Sequence, residues 1–171
     1  MDFQEQEHRV APPRPTLLTI LCYLTIFGSV YMMFSSVSGL FSPDSLTKST
    51  TMAMENWEMT VDQMTNKDPN LKASLENVLS DVNAANSPSN MRDYSFFNLI
   101  YNLLTLFGAR MMLKLRKNGF RLYFLGILIS FISPLLVFGA GNLLGQAFAL
   151  YFGVTGGLFA ILYALNIKYM Q

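Results

Sequence analysis

The residues that could carry chemistry in this sequence are few, and they lie where a catalytic site is hard to build. The single histidine, His8, is in a polar N-terminal stretch, and the single cysteine, Cys22, is inside an apolar run. A Ser–His or Cys–His pair, or a histidine metal site, needs side chains that a folded element holds beside their partners. No GxGxxG or GxxxxGKS/T phosphate loop occurs. We therefore expect no catalytic residues and no cofactor, and a protein that is not an enzyme.

Methionine is the other residue type that could bind a metal, since thioethers are soft ligands that suit copper(I). The segment between residues 42 and 93 holds several methionines, namely Met52, Met54, Met59, Met64 and Met91. Met52 and Met54 lie about 200° apart on a helix with 3.6 residues per turn, so they cannot share an ion. Adaptable packing explains these methionines better, and we predict no metal site.

Small and polar residues interrupt one apolar run at helical spacing. Positions i, i+4, i+7 and i+11 are Asn98, Asn102, Thr105 and Ala109. Carboxamides in hydrocarbon need partners, and hydrogen bonds between helices are the usual solution. A matching stripe occurs further along the chain and consists of Tyr123, Gly126, Ser130 and Ser133, followed by Pro134. The pattern favours helix packing. The alternative is a polar pathway, which typically uses ionisable residues inside the membrane.

Four apolar runs must position these residues. They cover residues 16–41, 94–113, 122–140 and 143–167, and the stretch 122–167 contains no Asp, Glu, Lys, Arg or His. The whole chain is 51% hydrophobic and only 13% charged, with a mean hydropathy of +0.32, whereas soluble domains are about 25% charged. A spanning helix needs about 20 apolar residues. The sequence predicts an all-α polytopic membrane protein with four transmembrane helices.

The first run has a second reading as a signal peptide. Arg9 and Arg14 precede it, and residues 36–38 resemble a cleavage site. A signal peptide has an apolar region of about 7–15 residues, and this run is longer. We favour a spanning helix.

A basic stretch between the second and third runs, "ARMMLKLRKNGFR" at 109–121, fixes the predicted orientation. Short connections rich in Lys and Arg stay in the cytoplasm, so both termini are expected there, with residues 1–15 as a disordered tail. Residues 16–171 then form the membrane domain, and residues 42–93 are an external insertion with eight acidic and four basic residues. Only Phe120 accompanies the basic residues as a stacking group, so we predict no nucleic-acid binding.

The external insertion contains two amphipathic patterns, which predict helices near 50–66 and 69–84. The first presents one apolar face, made of Met54, Trp57, Val61 and Met64. Trp57 is the only tryptophan. Three roles for it stay open: an anchor at the membrane interface, an intramolecular packing residue, and the centre of a partner site.

The fourth run repeats small residues every four positions, which lets another helix approach closely. The repeat consists of Gly145, Ala149, Gly153 and Gly157. The spacing is compatible with a partner helix in the same chain and with one in another chain. Together with the external helices, this face predicts a subunit or accessory factor of a membrane complex, with the lipid bilayer and a protein partner or a second copy as its contacts. The alternative is a small transporter or channel component that uses the face of Asn98 and Asn102.

The stretch "RPTLLTILCYLTIFGS" (14–29) resembles the start of a group of small bacterial inner-membrane proteins without an assigned activity. They share a motif of the form R-P-T-x-L-T-x-L-C-x-L-T-x-x-G-S. The resemblance covers the first helix only. It implies a bacterial inner membrane and no particular activity.

Overall fold

The structure, a computed structural model, describes residues 15–65 and 69–170, with side chains described outside 62–71. Within this part of the chain there are six α-helices and a short 3-10 helix, and no strand. Their bounds are α1 (Thr16–Phe41), α2 (Pro43–Thr65), α3 (Pro69–Ala85), α4 (Pro88–Leu113), α5 (Lys117–Val137), α6 (Leu143–Ala164) and the 3-10 helix Ile167–Tyr169. The predicted tail lies outside the described residues except for Pro15, which directly precedes α1.

Four of these helices, α1, α4, α5 and α6, are long and apolar enough to cross a membrane. The shortest, α5, has 21 residues, which at 1.5 Å per residue matches a hydrocarbon core of about 30 Å. The prediction of an all-α chain with four such helices is confirmed. It succeeded because a spanning helix has to be apolar over its whole length, and this is a property of the local sequence.

The distribution of side chains in these four helices is inverted relative to a soluble protein. Large apolar and aromatic residues such as Phe27, Tyr31 and Phe34 point outward. Polar residues such as Ser29, Asn102 and Ser133 are buried. An apolar surface of this extent is costly in water but not in lipid. The arrangement is therefore that of a helix bundle surrounded by hydrocarbon.

Several helix boundaries differ from the prediction, and the starts of α2 and α4 differ most. Helix α1 ends at Phe41 as expected, but α2 begins at Pro43 instead of near residue 50, and α4 begins at Pro88 instead of Tyr94. Proline suits the first helical position, because its missing N–H is not needed there. The Ser87 hydroxyl accepts a hydrogen bond from the Asn90 N–H at 3.2 Å and caps α4. Hydropathy marks the segments that can lie in hydrocarbon, so it did not reveal these polar first turns.

Helix α4 packs extensively on both α1 and α5, and α6 packs mainly on α5 and also touches α1. Helices α4 and α5 approach backbone to backbone where Gly108 of α4 meets Gly119 of α5. A Cβ atom on Gly108 would lie 2.8 Å from the Gly119 carbonyl oxygen, and one on Gly119 would lie 2.6 Å from the Gly108 oxygen. Only glycine allows the two backbones to come this close. The contact between these two glycines was not predicted from the sequence.

The four helices meet in an apolar core at one end of the bundle. Leu18, Ala109, Tyr163 and Met170 are buried in this core, and Leu115 of the α4–α5 connection packs against it. Both ends of the described chain and the basic connection therefore share one end of the molecule. The α5–α6 turn and helices α2 and α3 lie at the opposite end.

Helices α2 and α3 form a hairpin that packs on α4, α6 and α1. Asn142, in the α5–α6 turn, donates its side-chain N–H to the Asp81 carbonyl oxygen at 2.8 Å. The Asp81 carboxylate accepts the N–H of Leu143 at 3.0 Å. A carboxylate at this position also interacts favourably with the dipole of α6. In addition, the Asn86 side chain donates to the Thr47 carbonyl oxygen at 3.3 Å, so α2 is held to the end of α3.

Candidate functional site

The predicted polar face of α4 is buried, but its carboxamides bond within the helix. Asn102 is 1% exposed, and its Nδ2 donates to the Asn98 carbonyl oxygen at 2.7 Å and to Asn98 Oδ1 at 2.8 Å. The expected hydrogen bonds from these carboxamides to another helix do not occur among the described residues. The reason is geometric, because residues four apart on a helix are neighbours and can satisfy each other.

The polar link between helices comes from hydroxyl groups instead. Thr105 Oγ1 lies 2.9 Å from Ser29 Oγ of α1, and both residues are buried. Since the Thr105 hydroxyl can donate to the Tyr101 carbonyl oxygen at 3.1 Å, Ser29 can serve as the donor between the helices. The sequence analysis missed Ser29. The sequence did contain a signal, because the small residues Cys22, Ser29 and Ser36 recur every seven positions. All three are buried in the structure.

The predicted polar stripe of α5 faces α4. Its members Tyr123, Gly126, Ser130 and Ser133 are all buried, as is Pro134. A Cβ atom on Gly126 would lie 3.1 Å from Thr105 Cγ2. The stripe therefore provides the small surface against which the polar face of α4 packs.

The small-residue face of α6 divides into two parts. A Cβ atom on Gly145 would meet the Gly139 carbonyl oxygen at 2.8 Å, and one on Gly153 would meet Phe131 at 2.9 Å. Ala149, between them, is buried. These three residues pack inside the chain, largely on α5. Gly157 has nothing within 4 Å of its Cβ position, so the last member of the series is uncovered.

A cavity of about 300 Å³ lies between α1 and α6 and reaches inward to α4. We call it the seam cavity; it is lined by parts of 24–32, 98–102 and 151–159, together with Tyr123. At the end nearer the chain termini, a hydrogen bond of 2.8 Å joins Thr25 Oγ1 to the Tyr163 hydroxyl. This bond ties α1 to α6, and the seam cavity begins at this level.

A second cavity of about 260 Å³ lies under the hairpin, with Thr50 of α2 and Val82 of α3 in its wall. We call it the hairpin cavity. Between the two lies a small void lined by residues that include Ser130 and Ser133. Asn98 lines all three spaces. None of the described residues in their walls is Asp, Glu, Lys, Arg or His.

The apolar face predicted for α2 is only partly buried. Met54 and Val61 are buried, and Leu79 of α3 is buried in the same hairpin. Trp57, by contrast, is 49% exposed. The side chain of Met64 lies outside the described part. A cleft of about 440 Å³ between α2 and α3 is lined by Glu58, Val61, Glu76, Leu79, Ser80 and Asn83.

The basic residues at the end of the bundle opposite the hairpin are all exposed, namely Arg110, Lys114, Arg116, Lys117 and Arg121.

Among the residues that the structure describes, no three His, Cys, Asp or Glu side chains are grouped so that they could hold a metal ion. Met52 is exposed whereas Met54 is buried, so the two methionines face different ways.

Comparisons with protein-family models, with curated proteins and with solved structures found no match.

Proposed function

We propose that the chain is a non-enzymatic integral membrane protein that serves as a subunit or accessory factor of a membrane complex. The observation that carries the proposal is the hairpin. Asp81 ties it to the start of α6 and Asn86 holds α2 to the end of α3, while Trp57 stays half exposed on its surface. A tryptophan on a fixed support suits a partner site, since it buries a large area with little loss of side-chain freedom.

The proposed location is a bacterial inner membrane, with both termini in the cytoplasm and residues 42–93 outside. Two considerations support it. The exposed basic residues of the α4–α5 connection share one end with the described chain ends, and such clusters remain cytoplasmic. The resemblance of residues 14–29 to bacterial inner-membrane proteins supports the choice of membrane.

The partner site is tested by purification in mild detergent combined with site-specific photocrosslinking. We expect a crosslinkable amino acid at position 57 to form an adduct with one protein, which also co-purifies with the unmodified chain. Asn77 is an exposed hairpin position on α3, and the same amino acid there should not form the adduct. Trp57→Ala should weaken the complex by about 30-fold or more, because a central tryptophan contributes about 2 kcal/mol or more. Purely lipid adducts at position 57 would contradict the proposal.

A second candidate is a transporter or channel component, favoured by the series of spaces that share Asn98. Since none of the described residues in their walls is Asp, Glu, Lys, Arg or His, these spaces suit an uncharged solute better than an ion. Replacing both Asn98 and Asn102 by leucine distinguishes the candidates. Loss of solute movement in a folded, assembled protein would favour the second candidate, and an unchanged rate would exclude it.

A further inference from the structure

The seam cavity lies halfway along the helices that form it. Its lining from α1 falls within 24–32 of a helix that runs from Thr16 to Phe41, and its lining from α4 falls within 98–102 of Pro88–Leu113. On α6 the lining falls within 151–159. In a membrane these positions correspond to the middle of the hydrocarbon. The outer residues of the cavity, Tyr31 and Tyr151, are exposed on the lipid-facing surface, so the cavity is accessible from the bilayer.

Polar side-chain atoms face the open space of this cavity without a hydrogen bond from the described residues; protein atoms do not enclose them, because Asn86 Oδ1 is the one side-chain atom among the described residues that is both buried and without a partner. Asn102 and Tyr123 are 1% and 4% exposed, and both line the cavity. Asn102 uses its Nδ2 to bond Asn98, while its Oδ1 accepts no hydrogen bond from the described residues. The Tyr123 hydroxyl and Asn98 Nδ2 have no hydrogen-bond partner there either. Polar groups without partners are costly in hydrocarbon, so a ligand that supplies both a donor and an acceptor would be stabilised here.

We propose that the seam cavity binds the head of an uncharged amphiphile, a hydroxyl-bearing molecule with a hydrocarbon tail, which enters from the bilayer between α1 and α6. An ionised head is disfavoured, because no described residue of the cavity wall is charged and burying a lone charge is costly. A volume of about 300 Å³ is at the lower end for ligand sites, so the head enters and the tail stays in the lipid. Binding of an amphiphile in the seam cavity requires neither a protein partner at Trp57 nor transport of a solute.

The site is tested on the full-length protein in phosphatidylcholine nanodiscs with a photoactivatable, alkyne-tagged long-chain alcohol. The comparison probe is the tagged hydrocarbon of the same length without a hydroxyl. We expect saturable labelling by the alcohol within 24–32 and 151–159, which an untagged alcohol competes away. Equal labelling by both probes would overturn the proposal, because it would indicate ordinary contact with bulk lipid and a cavity that holds water or nothing.

Two glycines supply a matched pair of variants. Gly28 lines the cavity and Gly157 does not, and neither has an atom within 4 Å of its Cβ position. Gly28→Leu should fill the space and reduce labelling at least fivefold, whereas Gly157→Leu should leave it unchanged. Labelling that survives Gly28→Leu would overturn the proposal.

Tyrosine variants test the same site without changing its shape. Tyr123→Phe removes only a hydroxyl, so it should weaken labelling about two- to tenfold, as expected for one hydrogen bond. Tyr94 lines the hairpin cavity but not the seam cavity, and Tyr94→Phe should have no effect. Equal effects of the two variants, or none, would overturn the assignment. Trp57→Ala should not alter labelling. The proposed lipid site and the proposed partner surface can therefore be tested independently of each other.

Discussion

At the scale of single residues, the fold depends on how closely backbones approach and on where hydroxyl groups lie. Gly108 and Gly119 allow the crossing of α4 and α5, and Ser29 and Thr105 join α1 to α4. The space around the Cβ position differs from one glycine to another. Gly28 has open space there, whereas Gly108 has a carbonyl oxygen close by. The same substitution therefore has opposite effects at the two positions.

We expect Gly108→Ala to destabilise the bundle by about 1–3 kcal/mol, the usual cost of overpacking, because its Cβ would lie 2.8 Å from a backbone oxygen. Gly28→Ala should stabilise it by about 0.5–1 kcal/mol, since alanine is the better helix former. Reversible unfolding of both variants in mixed micelles measures the difference. A Gly108→Ala protein as stable as the parent would mean that the helices do not cross at this point.

At the scale of the elements, the hairpin is joined to the spanning helices by a few polar contacts far apart in sequence. Asp81 and Leu143, which share one of them, are 62 residues apart. The contact combines a hydrogen bond to an unsatisfied N–H at a helix start with a favourable charge–dipole interaction. Asp81 thus contributes to the capping of α6 as well as to the docking of α3.

Replacing Asp81 with alanine should loosen the contact between α3 and the first turn of α6. We expect a loss of about 0.5–1 kcal/mol and faster hydrogen exchange of the Leu143 amide, with the rest of α6 unaffected. Glu55 is an exposed acid on α2, and Glu55→Ala is the matched control for the lost charge. Exchange at Leu143 that is the same in both variants would show that the two helices are not held together by this carboxylate.

The sequence predicted some of these elements and missed others for physical reasons. The spanning helices were predictable, because each has to be apolar throughout. The hairpin helices were predicted from their periodicity, but the first turns at Pro43 and Pro88 carry no apolar signal. The contact of Asp81 with α6 and the crossing at Gly108 join distant residues, so no local pattern identifies them. The polar face at Asn98 and Asn102 was found, but the seam cavity depends on how α1 and α6 are placed.

At the scale of the whole molecule, the basic connection and the described chain ends lie at one end of the bundle and the hairpin at the other. One end therefore carries exposed positive charge. Membrane insertion keeps such charge in the cytoplasm. The proposed orientation uses this asymmetry alone, so it can be tested without any knowledge of a partner.

Single cysteines in a Cys22→Ala background should report the two sides of the membrane. A cysteine in place of Lys72 is expected to react with an impermeant maleimide added outside intact cells. A cysteine in place of Lys114 should react only after the cells are opened. The reverse pattern would place the hairpin in the cytoplasm and overturn the orientation, and the parent with Cys22 alone controls for background, since Cys22 is buried.

The bond between Thr25 and Tyr163 has a mechanical consequence. Because α1 is fastened to α6 there and continues to Phe41, the part beyond the bond is a lever about 24 Å long at 1.5 Å per residue. A tilt of about 10° at this pivot moves the far tip by about 4 Å. Helix α2 begins two residues after that tip, at Pro43. We expect a push on the hairpin to tilt this part of α1 only as far as its contacts with α4 allow, since the Ser29 and Thr105 hydroxyls join the two helices one turn beyond the pivot.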